Sequence, residues 1–227
     1  MGTPAFATLQ ARLQARHSAR LDLNQWNRLS AITALEPFLT QARSTPLGLW
    51  LQGVDPHGDV HQLEVTLRDV FRKHVALIAG WSLPSWHPAI HWVATWPDLA
   101  IARHYRRFGA THPWIARMEG LELLETSPSG HDLLTWWLNR WRTLWPTPPT
   151  RHPHLEKLIQ LAQACQEQAD DPWSEWSRLR TSLELLFRRQ AMEPGALFIH
   201  LWLTGLEIYR LRGELSRRLL FPPEPCP

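Results

Sequence analysis

An all-α protein, a multi-helix bundle of roughly eight to ten helices with proline-marked joints, is what this chain predicts. Three observations carry that expectation. Leucine, alanine, glutamine and arginine, all good helix formers, dominate the periodic segments. Apolar residues recur in them every three or four positions, and no succession of alternating Val/Ile/Thr runs signals a sheet. The prolines, 19 in all, fall mostly between those segments rather than inside them. At 227 residues, 44% hydrophobic and 20% charged, the chain is globular and large enough for a substantial core.

Taken in order, Pro4 to Leu23 reads as a first helix with Phe6, Leu9, Leu13 and Leu21 on a narrow stripe, which His17 and Arg20 interrupt in its later part. Asn24 to Leu39 reads as a second helix, with Trp26, Leu29, Ile32, Leu35 and Leu39 on one side. Thr40 to Trp50 reads as a short helix broken at Pro46 and Gly48, followed by a turn from Gly53 to Asp59 rich in loop signals. Asp59 then suits an N-cap for a helix that turns Val60, Leu63, Leu67, Val70, Phe71, Val75, Leu77 and Ile78 inward. Glu64 and Arg68 stand four apart on it and can pair.

The stretch WSLPSWHPAIHWVATWP, 81–97, holds Trp81, Trp86, Trp92 and Trp96 among its prolines and reads as short turns or helices wedged between longer ones. A helix from Pro97-Asp98 to about Phe108 follows; its Arg103, His104, Arg106 and Arg107 form the densest basic cluster. His112 to Glu125 is amphipathic, Ser127 to Gly130 is a turn, and His131 to Trp145 is a tryptophan-rich helix, LLTWWLNRWRTLW. The cluster TPPTRHP is the best linker candidate. It separates an N-terminal helical stretch, 1–146, from a C-terminal one, 151–221, packed on it, with one continuous domain as the alternative. His154 to Ala169 and Trp173 to Met192 read as two more helices.

The organising element is the last, GALFIHLWLTGLEIYRLRGELSRRLL, 195–220. From Ala196 to Tyr209 it is apolar on nearly every side, as a helix buried on several faces should be. From Arg210 onward Leu211, Leu215 and Leu219 form one covered stripe, while Arg210, Arg212, Arg217 and Arg218 fill a solvated side. Pro194 ahead and Pro222-Pro223 behind suit a helix start and stop. The uncharged run falls short of the ~20 residues of a membrane span. Glu207 is its one buried acid, and pairing with an arginine from a neighbouring helix is its plain structural role.

Net charge is +3 with histidines neutral, and Lys73 and Lys157 are the only lysines; that balance is too mild to imply nucleic acid by itself. Cys165 and Cys226 lack a CxxC partner, which fits a reducing, cytoplasmic setting. His57 and His61, His87 and His91, and His152 and His154 have spacings that can hold a metal, but no acid or cysteine completes a set, so no metal or cofactor is expected. There is no GxSxG, HExxH or GxxxxGK, and the acids are scattered, so no catalytic residue is assigned and the chain reads as a non-enzyme. The 14 tryptophans read as packing, with a surplus available for a partner surface.

The order of several segments resembles the V-type ATPase subunit called C in bacteria and archaea and d in eukaryotes. An arginine-studded first helix is resembled by ATLQARLQARHSARL, and an aromatic- and leucine-bearing helix leading to small residues by LEPFLTQARSTPLGLWL. A Leu-Glu start with a Leu-Arg pair is resembled by DVHQLEVTLRDVF, and a glutamate ahead of a Leu-Arg pair by LTGLEIYRLRGELSRRL, on Glu207, Leu211 and Arg212. The chain looks like a shortened, divergent relative, with tryptophan-rich helices where the family has polar ones. The resemblance implies an all-helical, non-catalytic coupling subunit for ion (proton) transport, peripheral at the inner face of the membrane with no transmembrane segment of its own. It would join the central rotor stalk to the proteolipid ring. Arg103, Arg106, Arg107, Glu207, Arg210 and Arg212 are the candidate contact residues. A helical protein-interaction adaptor or a nucleic-acid-binding module is the alternative.

Overall fold

The computed structural model describes residues 4–108, 132–147, 153, 155–160, 172–190 and 193–222, with side chains for all of these except 4–6, 107–108 and 172–176. The stretch His112 to Glu125, the Ser127 to Gly130 turn, most of the proline cluster, the His152/His154 pair and both cysteines lie outside the described residues. Among those described the chain is helical throughout, without a strand. Nine α-helices have defined bounds: α1 Pro4–Ser18, α2 Leu23–Ser30, α3 Leu35–Arg43, α4 Val60–Ala79, α5 His87–Val93, α6 Leu99–Phe108, α7 Leu133–Thr143, α8 Pro172–Arg189 and α9 Pro194–Leu220. Residues 155–160 are helical as well.

Local chemistry explains most boundaries. Asp22 opens α2 with a capping box, accepting from the Gln25 amide while the Gln25 side chain accepts from its own. Asp59 caps α4 on the Gln62 amide, and Asp132 caps α7 on the amides of Leu134 and Thr135. Thr45 caps the 3-10 turn Pro46–Leu49, where Gly48 is required because a Cβ would lie 2.5 Å from the Arg43 carbonyl oxygen. Two further 3-10 turns, Pro84–Trp86 and Trp96–Asp98, flank α5, so the tryptophan-dense stretch is a set of short wedges as its prolines predict.

The expected helix over 24–39 is in fact two. α2 stops at Ser30 and α3 starts at Leu35, because the carbonyls released at the break have a partner no local rule foresees. Arg218, from the last turns of α9, donates through Nε to the Ile32 carbonyl at 2.9 Å and through Nη2 to the carbonyls of Ser30 and Ile32 at 3.2 and 2.5 Å. Its Nη1 holds Glu214 Oε2 at 2.7 Å, and its plane lies 3.9 Å from the Phe38 ring centroid. Arg218 is only 2% exposed, so its assignment to a solvated face is wrong, whereas Arg217 does lie exposed. Leu77 is corrected the other way, standing 42% exposed while His74, one turn earlier, is buried.

Helix α9 is the central post. Every residue from Gly195 to Thr204 is buried, and α8, α4, α1 and α3 pack around it. Mid-helix Gly205 is dictated by Trp96: a Cβ there would lie 2.3 Å from the indole, whose ring also stacks on Trp202 at 4.9 Å. Among the described tryptophans, Trp26, Trp50, Trp86, Trp137, Trp141, Trp145 and Trp202 are buried, and Trp81, Trp92, Trp96 and Trp136 pack against the core. The indoles are therefore mortar, and no described one stands out as a surplus for a partner surface.

Two polar groups cross this core. Glu64 of α4 accepts from Arg68 at 3.2 Å and from Arg212 of α9, while Asp98 receives Arg72 at 3.1 Å with Arg68 3.9 Å away. Burial raises the Asp98 carboxyl above the usual range and the two arginines oppose it. The second group is a pair of imidazoles, His74 of α4 and His200 of α9, whose Nε2 atoms are 3.3 Å apart. Burial pushes His74 down to about 3 and His200 well below the ordinary value, with Arg16 and Arg20 acting in the same direction, so both are neutral and one ring donates to the other. Among the described residues no group of three His, Cys, Asp or Glu converges in a metal-like set.

Candidate functional site

A cleft of about 170 Å³ opens where α2, α8 and the middle of α9 meet the end of the first helical segment. Its polar wall is Arg20, Arg180, Glu207 and Arg210, with Asn27 and Ser177 beside them. Leu23 and Tyr209, 63% and 41% exposed, form an apolar rim over the buried Trp26.

Each charge is set in place differently. Arg20 follows α1, and its Nη2 donates to the His200 carbonyl at 3.0 Å and to Thr204 Oγ1 at 2.7 Å, tying it to the post. Those contacts occupy both Nη2 hydrogens; Nε–H and the Nη1 donors have no acceptor among the described residues, and no described carboxylate lies within ion-pair distance of Arg20. Burial lowers its pKa from the usual arginine value, Glu207 and Glu184 oppose the shift, and Arg180 adds to it. Arg180 of α8 holds Glu184 at 2.8 Å and the Leu21 carbonyl at 3.2 Å. Arg210 lies over the Trp26 ring, 4.5 Å from its centroid, and is also lowered by burial, against Glu214.

Glu207 does not take the arginine expected for it. Its Oε2 accepts the indole N–H of Trp50 at 3.1 Å, and no described cation is within ion-pair distance. Of the six candidate contact residues, the cleft thus brings together Glu207 and Arg210. Arg212 turns away to Glu64, with its guanidinium 5.7 Å from the Tyr209 ring. Arg103 and Arg106 stand exposed on α6, which does not line the cleft, and the Arg107 side chain lies outside the described residues.

Arg20, Arg180 and Tyr209 were not among the candidates. The sequence did carry a signal for Arg20, which breaks the apolar stripe of the first segment at its end; Arg180 has none, being one arginine of several on α8. Chemically the wall offers several fixed hydrogen-bond donors, three permanent cations and one carboxylate held by an indole. That is equipment for recognising a charged group. Compared with known proteins, the chain matches no family model, no curated protein and no solved structure.

Proposed function

We propose that this chain is a non-catalytic connector, a stiff helical spacer whose value is mechanical. In its sharper form it is a coupling subunit resembling the V-type ATPase C/d subunit, seated between rotor stalk and proteolipid ring at the inner face of the membrane. The observation that carries the reading is the joining of two resembling segments. Glu64 and Arg68, from DVHQLEVTLRDVF, and Arg212, from LTGLEIYRLRGELSRRL, meet in one ion-paired cluster that clamps α4 to the post. A clamp of this kind suits a body that transmits force without deforming, since paired and hydrogen-bonded charges in a packed interior leave few alternative arrangements. No helix among the described residues is long and apolar enough to cross a membrane, which is compatible with a peripheral seat.

The helical adaptor is the coarser form of the same reading, and the charged cleft beside the post supports it equally. The nucleic-acid alternative is less well supported, because base stacking needs free aromatic faces and the described indoles are packed against the core. The test is a pull-down of the tagged full chain from native membranes. Stalk and proteolipid subunits should co-purify; recovery of ribosomal or metabolic proteins alone would end the rotary reading.

A further inference from the structure

We propose that Arg12 and Arg16 of α1, gathered over the Trp81 indole, form a binding site for the dianionic group of a phosphate monoester. Their placement is the first reason. Four residues apart on one helix, the two side chains leave the same face, and both guanidinium carbons lie over the Trp81 ring, 5.2 and 5.1 Å from its centroid. The indole beneath them is held in turn. It packs against the core just past the end of α4, where its own amide donates to the Ile78 carbonyl at 3.1 Å and the Ser82 amide to the Ala79 carbonyl at 2.9 Å.

What the pair lacks is the second reason. A π face attracts a cation without accepting its in-plane hydrogen bonds, and among the described residues no carbonyl, hydroxyl or carboxylate accepts from either arginine. Elsewhere Arg68, Arg142, Arg180 and Arg218 each hold a carboxylate at 2.6 to 3.2 Å. Arg12 is exposed, and although Arg16 is half-buried, each of its nitrogens still reaches solvent. Burial lowers the Arg16 pKa from the usual arginine value, and no acid opposes the shift. Two like charges thus meet on one ring with every N–H unspent and nothing described to neutralise them. Chemistry supplies the class of ligand. A phosphate monoester brings a charge of about −1.5 to −2 and three acceptor oxygens, enough to engage both guanidiniums at once. A carboxylate or a phosphodiester brings one charge and leaves the other cation unmatched. Two sources present the monoester: a small soluble ester, or a lipid headgroup such as that of phosphatidic acid. The site stands whether or not the chain serves a rotary machine.

The measurement is calorimetric titration of the full chain with methyl phosphate, a monoester, and with dimethyl phosphate, a diester, at ionic strength balanced with chloride. A second arm measures co-sedimentation with phosphatidylcholine vesicles containing phosphatidic acid, against phosphatidylcholine alone. Methyl phosphate should bind saturably and about tenfold more tightly than the diester. Arg12→Gln and Arg16→Gln should each weaken it by about tenfold. Arg12 is exposed and makes no hydrogen bond among the described residues, so Arg12→Gln should keep the melting temperature and carries the loss arm if Arg16→Gln unfolds. Added sedimentation with phosphatidic acid that Arg12→Gln abolishes identifies the lipid as the source; saturable methyl phosphate binding without it identifies a soluble ester. The proposal is overturned if neither methyl phosphate nor the phosphatidic acid vesicles bind, if the diester binds as tightly as the monoester, or if Arg12→Gln leaves the binding unchanged.

Discussion

Arg218 shows how much one side chain can hold. It accommodates a helix end, an acid and an aromatic face at once, with no solvent contact for its side chain. Truncation strips the Ile32 carbonyl of its donor and leaves the Ser30 carbonyl and Glu214 with only Arg217 at 3.5 Å and, for Glu214, the Ser30 hydroxyl, so Arg218→Ala should cost about 3–5 kcal/mol of unfolding free energy. Arg218→Lys keeps the charge but loses the planar fork, and it should recover less than half of that loss in urea denaturation. Full recovery by lysine would mean that charge alone matters there. Its burial was legible in the spacing, seven after Leu211 and three after Leu215 and so on their covered face, and its charge alone argued for a solvated side; its carbonyl partners at the α2–α3 break, 186 to 189 positions earlier in the chain, were not legible.

At the scale of elements, caps and breakers explain what could be read. Asp59, Pro46 with Gly48, and Pro194 each act through their own backbone neighbours, and each boundary falls where those residues put it. The α2–α3 break was missed because its cause comes from α9. The cleft was half legible for the same reason, Glu207 and Arg210 being conspicuous within one helix while Arg20 and Arg180 join them only through tertiary packing. Gly205 illustrates the opposite case, a local oddity with a distant reason. A Gly205→Ala change should improve helix propensity by about 1 kcal/mol in isolation. It nevertheless should lower stability by about 1–3 kcal/mol net, because the new methyl overlaps the Trp96 ring. A rise in melting temperature would show that the indole moves aside freely.

For the whole molecule, the neutral His74–His200 pair sets the acid limit. Both folded-state values lie below the ordinary 6.5, so the unfolded chain binds more protons than the native one as pH falls. Their contribution is intact above about pH 6.5 and drains away below it, at about 1.4 kcal/mol per pH unit for His74 down to about pH 3, with His200 acting in the same direction. Denaturant melts from pH 7 to 4.5 should show this slope, and His74→Gln should flatten it; an unchanged slope in the variant would assign the acid sensitivity elsewhere. The sequence reading left His74 off the covered stripe of α4, although it stands beside Phe71 and Val75, and its pairing with His200 depends on how two helices cross.

The reach of Arg218 also has a bearing on biogenesis. While the ribosome is still making the chain, the first helices leave the exit tunnel with their terminal carbonyls bare, and the arginine that covers them is translated some 186 residues later. The carbonyls at the α2–α3 break therefore gain this donor only once the post has been made, by closing a loop of some 186 residues.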